Sequence, residues 1–205
     1  MRTPNKFHLA SIVAASILVT YVAAAASMRT NSAPQSLDIP PVLLADAAAV
    51  DYFLKIEGVD GESTDSAHKG WIEIDSYSWG ETNRGSIAAG GGGGAGKVYM
   101  QNFNFMKKMD KSSPVLMQAC AQGEHMKMAT LIGIRDGQRQ EFLKVTMTDV
   151  LISSYRTGGS SGVVPTDQFS INFAKIEYEY MPMNPDGTMG ETVRAGWDLK
   201  ANKRV

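Results

Sequence analysis

The chain has 205 residues, 43% hydrophobic and 20% charged, enough to bury one substantial core. Its formal net charge of -1 supplies no basic field for nucleic acid. The single cysteine, Cys120, excludes an intrachain disulfide, so packing and backbone pairing must hold the fold.

The first 26 residues differ from the rest. Arg2, Lys6 and His8 precede an apolar stretch over residues 9–22, and the small residues Ala24, Ala25 and Ala26 follow. A basic start, an apolar middle and a small-residue site describe a signal peptide. The alternative is an uncleaved anchor, since the apolar run approaches spanning length. Either way the pattern predicts a secreted or periplasmic protein, or one tied to the inner membrane through residues 1–26. Residues 27–49 carry Pro34, Pro40 and Pro41 among Ala, Ser and Leu, which reads as an Ala/Pro-rich spacer. Residues 50–205 form the predicted folded domain.

Val50 to Glu57 reads as a strand closed by Gly58, followed by a polar loop from Asp60 to Lys69. Trp71 to Glu81 is a second strand. Ile72 and Ile74 share one parity and Tyr77 and Trp79 the other, which predicts a bulge near Asp75-Ser76. Lys97 to Met106 is a third strand. Ser113 as N-cap, Pro114 at the first position and Gly123 at the end predict a short helix, with Leu116, Ala119 and Cys120 on its apolar face. His125 to Ile134 is a strand, and Asp136-Gly137 a turn.

Glu141 to Arg156 is a long strand with Leu143, Val145, Met147, Leu151 and Tyr155 on one face. Gln168 to Tyr180 is another, whose change of parity between Phe173 and Ile176 predicts a bulge near Ala174-Lys175. Asn184-Pro185-Asp186-Gly187 is a turn, and a last strand lies around Val193 to Leu199. Long, bent antiparallel strands with one short helix predict a mainly β fold, a small antiparallel β-barrel of two bent sheets.

Two motifs invite an enzymatic reading. Gly91 to Lys97 fits the opening of a phosphate-binding loop, but Val98 stands where a magnesium-binding Ser or Thr belongs. The segment after Lys97 reads as a strand, not the helix whose amides would hold phosphate. Gly158-Gly159-Ser160-Ser161-Gly162 matches the nucleophile elbow, yet Val163-Val164-Pro165 and a strand follow where that motif needs a helix.

The remaining chemistry is sparse. His68 and His125 have no partner at metal-ligand spacing. Cys120 and His125 lie at i and i+5 across a helix end and do not share a face. Asp60, Glu62 and Asp65 lack the spacing of a calcium loop and read as solvated. No catalytic, cofactor-binding or metal-binding residue is assigned.

From Val50 onward the chain resembles the haemolysin-coregulated protein (Hcp) family of type VI secretion. The blocks are Val50 through Ile56 with Gly58, Gly61-Glu62-Ser63, Tyr77-Ser78-Trp79-Gly80 and Gly90 through Val98. Further blocks are Asp110 through Pro114 with Leu116-Met117 and Ala119-Cys120, Val150 through Ser154, and Thr157 through Ser160. Asn172-Phe173-Ala174 and Gly196-Trp197-Asp198 complete the set.

The resemblance implies a non-enzymatic barrel that assembles into a hexameric ring. Rings stack into a tube with spike and sheath partners, and the channel carries small effector proteins. It makes Gly90, Gly91, Gly92, Gly93, Gly94, Ala95, Gly96 and Lys97 a subunit-contact loop. Residues 1–49 depart from the family pattern. They leave open a separately exported binding module on the same fold, outside any contractile injector.

Overall fold

Alternation of buried and exposed side chains organises the described part of the chain. The computed structural model describes residues 50–83, 97–135 and 139–205. The strands are β1 (Val50–Ile56), β2 (Ile72–Ile74), β3 (Ser76–Ser78), β4 (Glu81–Asn83), β5 (Val98–Met100) and β6 (Phe103–Lys108). The single described helix, α1 (Ser112–Gln122), precedes β7 (His125–Arg135), β8 (Gln140–Gly158), β9 (Thr166–Tyr180), β10 (Val193–Asp198) and β11 (Lys203–Arg204). The predicted turn at Asp136-Gly137 and the glycine run up to Gly96 lie outside the described residues.

Nine strands form one antiparallel sheet in the order β11-β10-β9-β8-β7-β1-β2, with β6 joined to β9 and β3 to β6. β9 is long enough to serve two neighbours on one side. Its residues 166–171 pair with β6 and residues 175–180 with β10. The mainly β fold with one helix is as expected, but the sheet is not closed into a barrel. The second predicted strand is divided at Asp75: β2 pairs on β1 and β3 pairs on β6, and the Asp75 N–H donates to the Met106 carbonyl of β6 at 2.9 Å.

The second predicted irregularity has a different form. Phe173 and Ile176 are both buried, so β9 does change phase near Ala174. Opposite them, Met147 and Val150 are both buried, with Asp149 between them at φ 53°. Both strands change phase together, and the register on either side is the same: Thr148 faces Lys175 and Val150 faces Phe173. The register shift lies between Ile152 and Ser154 instead. These two events correct the predicted face of β8. Val150 and Ile152 point inward, Leu151 does not, and Tyr155 returns to pack on the core.

The main core lies between Leu54 and Ile56 of β1, Leu131 of β7, Val145 and Met147 of β8, and Phe169 and Ile171 of β9, all fully or almost fully buried. Leu116 and Ala119 of α1 join it, with Cys120 packed at the edge. The helix starts one residue before the predicted cap. Asp110, rather than Ser113, receives the Ser112 N–H at 2.9 Å. Gly123 closes the helix at φ 62°, and the Glu124 N–H donates back to the Ala119 carbonyl at 3.1 Å, a glycine-dependent C-cap.

Ser113 is free of capping because it belongs to a buried ionic cluster. Lys107 Nζ lies 2.7 Å from Asp110 Oδ1, 2.9 Å from Ser113 Oγ and the Lys108 carbonyl, and 3.1 Å from Asp167 Oδ2. Ser113 Oγ also donates to Asp167. Lys107 and Asp167 are both inaccessible to water. Burial alone pushes the Asp167 carboxyl up, but hydrogen bonds from Ser113, Thr157 and Lys107 outweigh it and hold the group below the usual carboxylate range. The cluster joins β6, β9 and the start of α1.

A smaller core sits on the other side of β1 and β7, where Phe53, Ile132 and Ile134 pack with Trp71. His68 lies here, stacked on Phe53 at 4.9 Å, and it is buried rather than solvated. Its Nδ1 is 3.0 Å from Asp65 Oδ1 and its Nε2 is 3.5 Å from Glu141 Oε1. Asp65 is thus no solvated loop carboxylate. Its bond from Arg139 holds it well below the usual range, assisted by His68 and opposed by desolvation. Asp60 pairs with Lys55 at 3.3 Å and Glu62 accepts the Lys111 N–H at 3.0 Å, so the three acids have separate partners.

Gly61 lets this loop lie flat: a Cβ there would meet the Trp71 carbonyl oxygen at 2.2 Å. Gly61→Ala is therefore expected to cost about 1–3 kcal/mol by overpacking. Urea unfolding would show the lowered midpoint, and an unchanged midpoint would mean that the loop moves freely.

Candidate functional site

The stem of the glycine run is a projecting ribbon. β3 pairs with β6 and β4 pairs with β5. Between the two pairings the Gln101 N–H donates to the Gly80 carbonyl at 2.9 Å, so the four strands continue one another. The inner half is anchored by stacked rings, with Phe103 5.5 Å from Tyr77, 6.0 Å from Trp79 and 5.0 Å from Phe105. The outer half pairs only with itself among the described residues. Glu81, Thr82 and Asn83 are exposed, and Tyr99 is 63% exposed.

Lys97 is exposed and leads straight into β5. Residues Gly90 to Gly96 lie outside the described residues. The strand after Lys97 leaves no helix N-terminus there, and the phosphate-loop reading loses its structural basis. Ser160 sits in an exposed turn that returns to β9, also without a helix. Cys120 packs on the core, while His125 is exposed and bonds Asp149 at 2.9 Å, so these two are not paired.

Beside the ribbon's outer half a groove of about 970 Å³ opens between β4–β5 and β10–β11. Its apolar wall includes Trp79, Met100, Ile176, Tyr178 and Trp197, and Arg194 and Arg204 stand among its lining residues. The indole N–H groups of Trp79 and Trp197 are buried and have no hydrogen-bond partner among the described residues. Burial, together with Tyr52 and Tyr178, pushes the neighbouring Tyr77 phenol up to about 12, so it remains a neutral phenol.

The sheet face opposite the core presents a second surface. Ser78, Asn104, Ser170 and Ser154 stand directly opposite one another across β3, β6, β9 and β8. Ser154 Oγ donates to Ser170 Oγ at 2.8 Å, and Ser170 Oγ donates to Asn104 Oδ1 at 2.7 Å. A second row, Ser76, Met106, Gln168 and Arg156, runs beside it. Together they line a depression of about 490 Å³. The rows carry one charge, Arg156, and Ser154, Ser170 and Asn104 are linked in one hydrogen-bonded chain. Sequence reasoning did not pick out these residues. Their signal is parity: each lies one position away from an inward-facing aromatic or aliphatic residue.

Among the described residues no cluster of His, Cys, Asp and Glu could hold a metal ion. No described helix is long and apolar enough to cross a membrane.

The family model described as "Type VI secretion system effector, Hcp" matches residues 53–180. The chain belongs to the Hcp family. It is 44% identical over 158 residues to Protein hcp1 of Pseudomonas aeruginosa, covering 75% of this chain and 98% of that protein. A solved structure described as a type six secretion system protein superposes with TM-score 0.73 and 32% identity, over 77% of this chain and all (100%) of that one. Hcp1 from Salmonella typhimurium gives TM-score 0.65 and 34% identity, over 77% of this chain and 99% of that one. The Hcp match spans the division at Asp75, both phase changes and the strands that carry the polar rows. This is a type VI secretion protein with the Hcp fold.

Proposed function

We propose that this Hcp-family protein is a non-enzymatic, ring-forming component of the type VI secretion tube. Its rings are hexameric and stack on one another, with spike and sheath proteins as further partners. The observation that carries the reading is the ribbon of β4 and β5. A two-stranded hairpin on its own is marginally stable in water, so its outer half is suited to completion by a neighbouring surface. Asn83 and Val98, register partners in the ribbon, flank the segment that holds Gly90 to Lys97, which supports reading that run as a subunit-contact loop.

The polar rows support the second part of the reading, that this face lines a channel through which small effector proteins are carried. A wall whose hydroxyls and amides bond one another stays wetted and binds passing chains weakly. The experiment is native mass spectrometry with electron microscopy of the full-length chain. Closed rings are expected. A strict monomer at high concentration, with no rings in the images, would sink the proposal.

A second reading is an exported binding module on the same fold. The apolar groove favours it, since its size and aromatic wall suit a bound partner. It predicts a monomer. We take residues 1–26 as a signal segment and 27–49 as a spacer before the domain. N-terminal sequencing of exported protein would distinguish removal after Ala26, removal after Ala49 and no removal.

A further inference from the structure

The two ends of the strand order carry opposite charge. At one end, β10, β11 and their connection hold Arg194, Lys200, Lys203 and Arg204 against the single acid Asp198. Arg194 is engaged with Glu179 and Lys200 with Asp149. Lys203 and Arg204 are exposed and have no ion-pair partner among the described residues. At the other end, β1, β2 and the residue after β2 hold Asp51, Glu73 and Asp75 against the single base Lys55, which is engaged with Asp60.

These acids are exposed and likewise have no ion-pair partner among the described residues. Tyr52 stands opposite Ile74 and Phe53 opposite Glu73, so Asp51 shares the face of Glu73, and Asp51 and Asp75 are the residues next beyond that end of the β1–β2 ladder. Like charges gathered at one end of a strand pair destabilise it, and no ion pair among the described residues relieves them.

The basic end is also structurally incomplete. β11 covers β10 only at Trp197 and Asp198, with the Val205 N–H reaching the Gly196 carbonyl at 3.4 Å. Val193 to Ala195 have no strand on that side among the described residues. Val193 and Val205 are 64% and 51% exposed, and Arg204 and Val205 line the apolar groove. An uncovered, short, basic edge beside an aromatic groove fits an acidic, partly apolar surface.

We propose that a second copy of this chain seats the acidic face of its β1–β2 against the β10–β11 edge, bringing Lys203 and Arg204 to Asp51, Glu73 and Asp75. The two surfaces are different parts of one molecule, so the contact is head to tail and can close a ring. Opposite charges fix which ends meet and speed their encounter. The inference rests on the ring-forming reading and names the surfaces that would form the ring.

Charge exchange tests it on the full-length chain. Lys203→Glu with Arg204→Glu should leave monomer under conditions where the unmodified chain assembles. Glu73→Lys with Asp75→Lys should do the same, and an equimolar mixture of the two doubly substituted chains should restore assembly, because alternating copies match charge at both kinds of junction. All four side chains are exposed, so each monomer should keep the circular dichroism of the parent.

A salt series on the unmodified chain checks the same point without substitutions. Assembly should weaken from 0.1 M to 1 M salt, as the screening length falls from about 10 Å to about 3 Å. Full assembly of both doubly substituted chains overturns the charge-paired contact and leaves the ring reading standing. Monomers that fail to associate on mixing also overturn it. An unmodified chain that never assembles overturns both readings.

Discussion

Lys107→Met is expected to destabilise the folded chain by about 3–5 kcal/mol, among the largest single effects this structure offers. The substitution keeps the length and apolar stem but removes the cation. Asp167, with no exposed surface, then loses its ionic partner, and Ser113 loses a donor. Removing one member of a buried ion pair strands the other, which costs far more than the pair contributes as a whole.

The pH dependence gives a signature that a simple packing defect would lack. In the native chain the Asp167 carboxyl is held below its ordinary value of 3.8. Its contribution is present above that value and is lost only as pH falls through the lower, folded one. Without Lys107 the Asp167 pKa moves up, because only the Ser113 and Thr157 hydrogen bonds then oppose its desolvation. The variant's deficit therefore grows as pH rises through the two folded values. Denaturant unfolding at pH 4 and pH 7 should therefore show the larger deficit at pH 7. A deficit below about 1 kcal/mol at both would mean that water reaches the cluster. Adding Asp167→Leu to Lys107→Met should recover much of the loss, since an apolar pair can replace a buried ionic one.

Shortening the run Gly90-Gly91-Gly92-Gly93-Gly94 is expected to abolish assembly while leaving the unfolding midpoint of the domain nearly unchanged. The buried core residues come from β1, β2 and β6 to β9 with α1 and neighbouring loop residues, and from the ribbon's outer half only Met100 packs against them. A shorter closing loop changes chain entropy little, because each doubling of loop length costs only about 0.6 kcal/mol. An inter-subunit contact loop, by contrast, acts through its reach. Sedimentation and thermal unfolding of the same variant separate the two quantities. Parallel loss of both would show that the run is only part of the fold. Intact assembly would remove it from the interface.

The buried cluster was legible in principle. Lys107 keeps the parity of Phe103 and Phe105, and Asp167 keeps that of Phe169 and Ile171, so each stands on the inward face of its strand. Two opposite charges on core-facing positions imply a pair. What parity could not supply is that β6 and β9 are neighbours, set in register with Lys107 opposite Asp167. The same holds for His68. Its loop is polar in composition, yet Phe53 and Ile132 form an apolar patch on the outer side of β1 and β7 that only the sheet assembles, and the loop folds over it. The groove is less legible still, because Trp79 and Trp197 stand more than a hundred residues apart in the chain.

Local properties of the sequence determined the strands, the helix with its glycine cap, and the places where the side-chain phase changes, because periodicity and capping act within a few residues. The ordered family blocks determined the family, and Val98 with the strand after Lys97 was enough to dismiss the phosphate loop. The tertiary structure decided what those phase changes do. At Asp75 the change moves the chain from pairing with β1 to pairing with β6. At Asp149 and Ala174 two opposed changes cancel and preserve the register. It also decided which polar residues meet, as in the row from Ser78 to Ser154. Both outcomes depend on pairing between strands distant in the chain, and a one-dimensional pattern carries the phase of each strand but not the partner against which it is set.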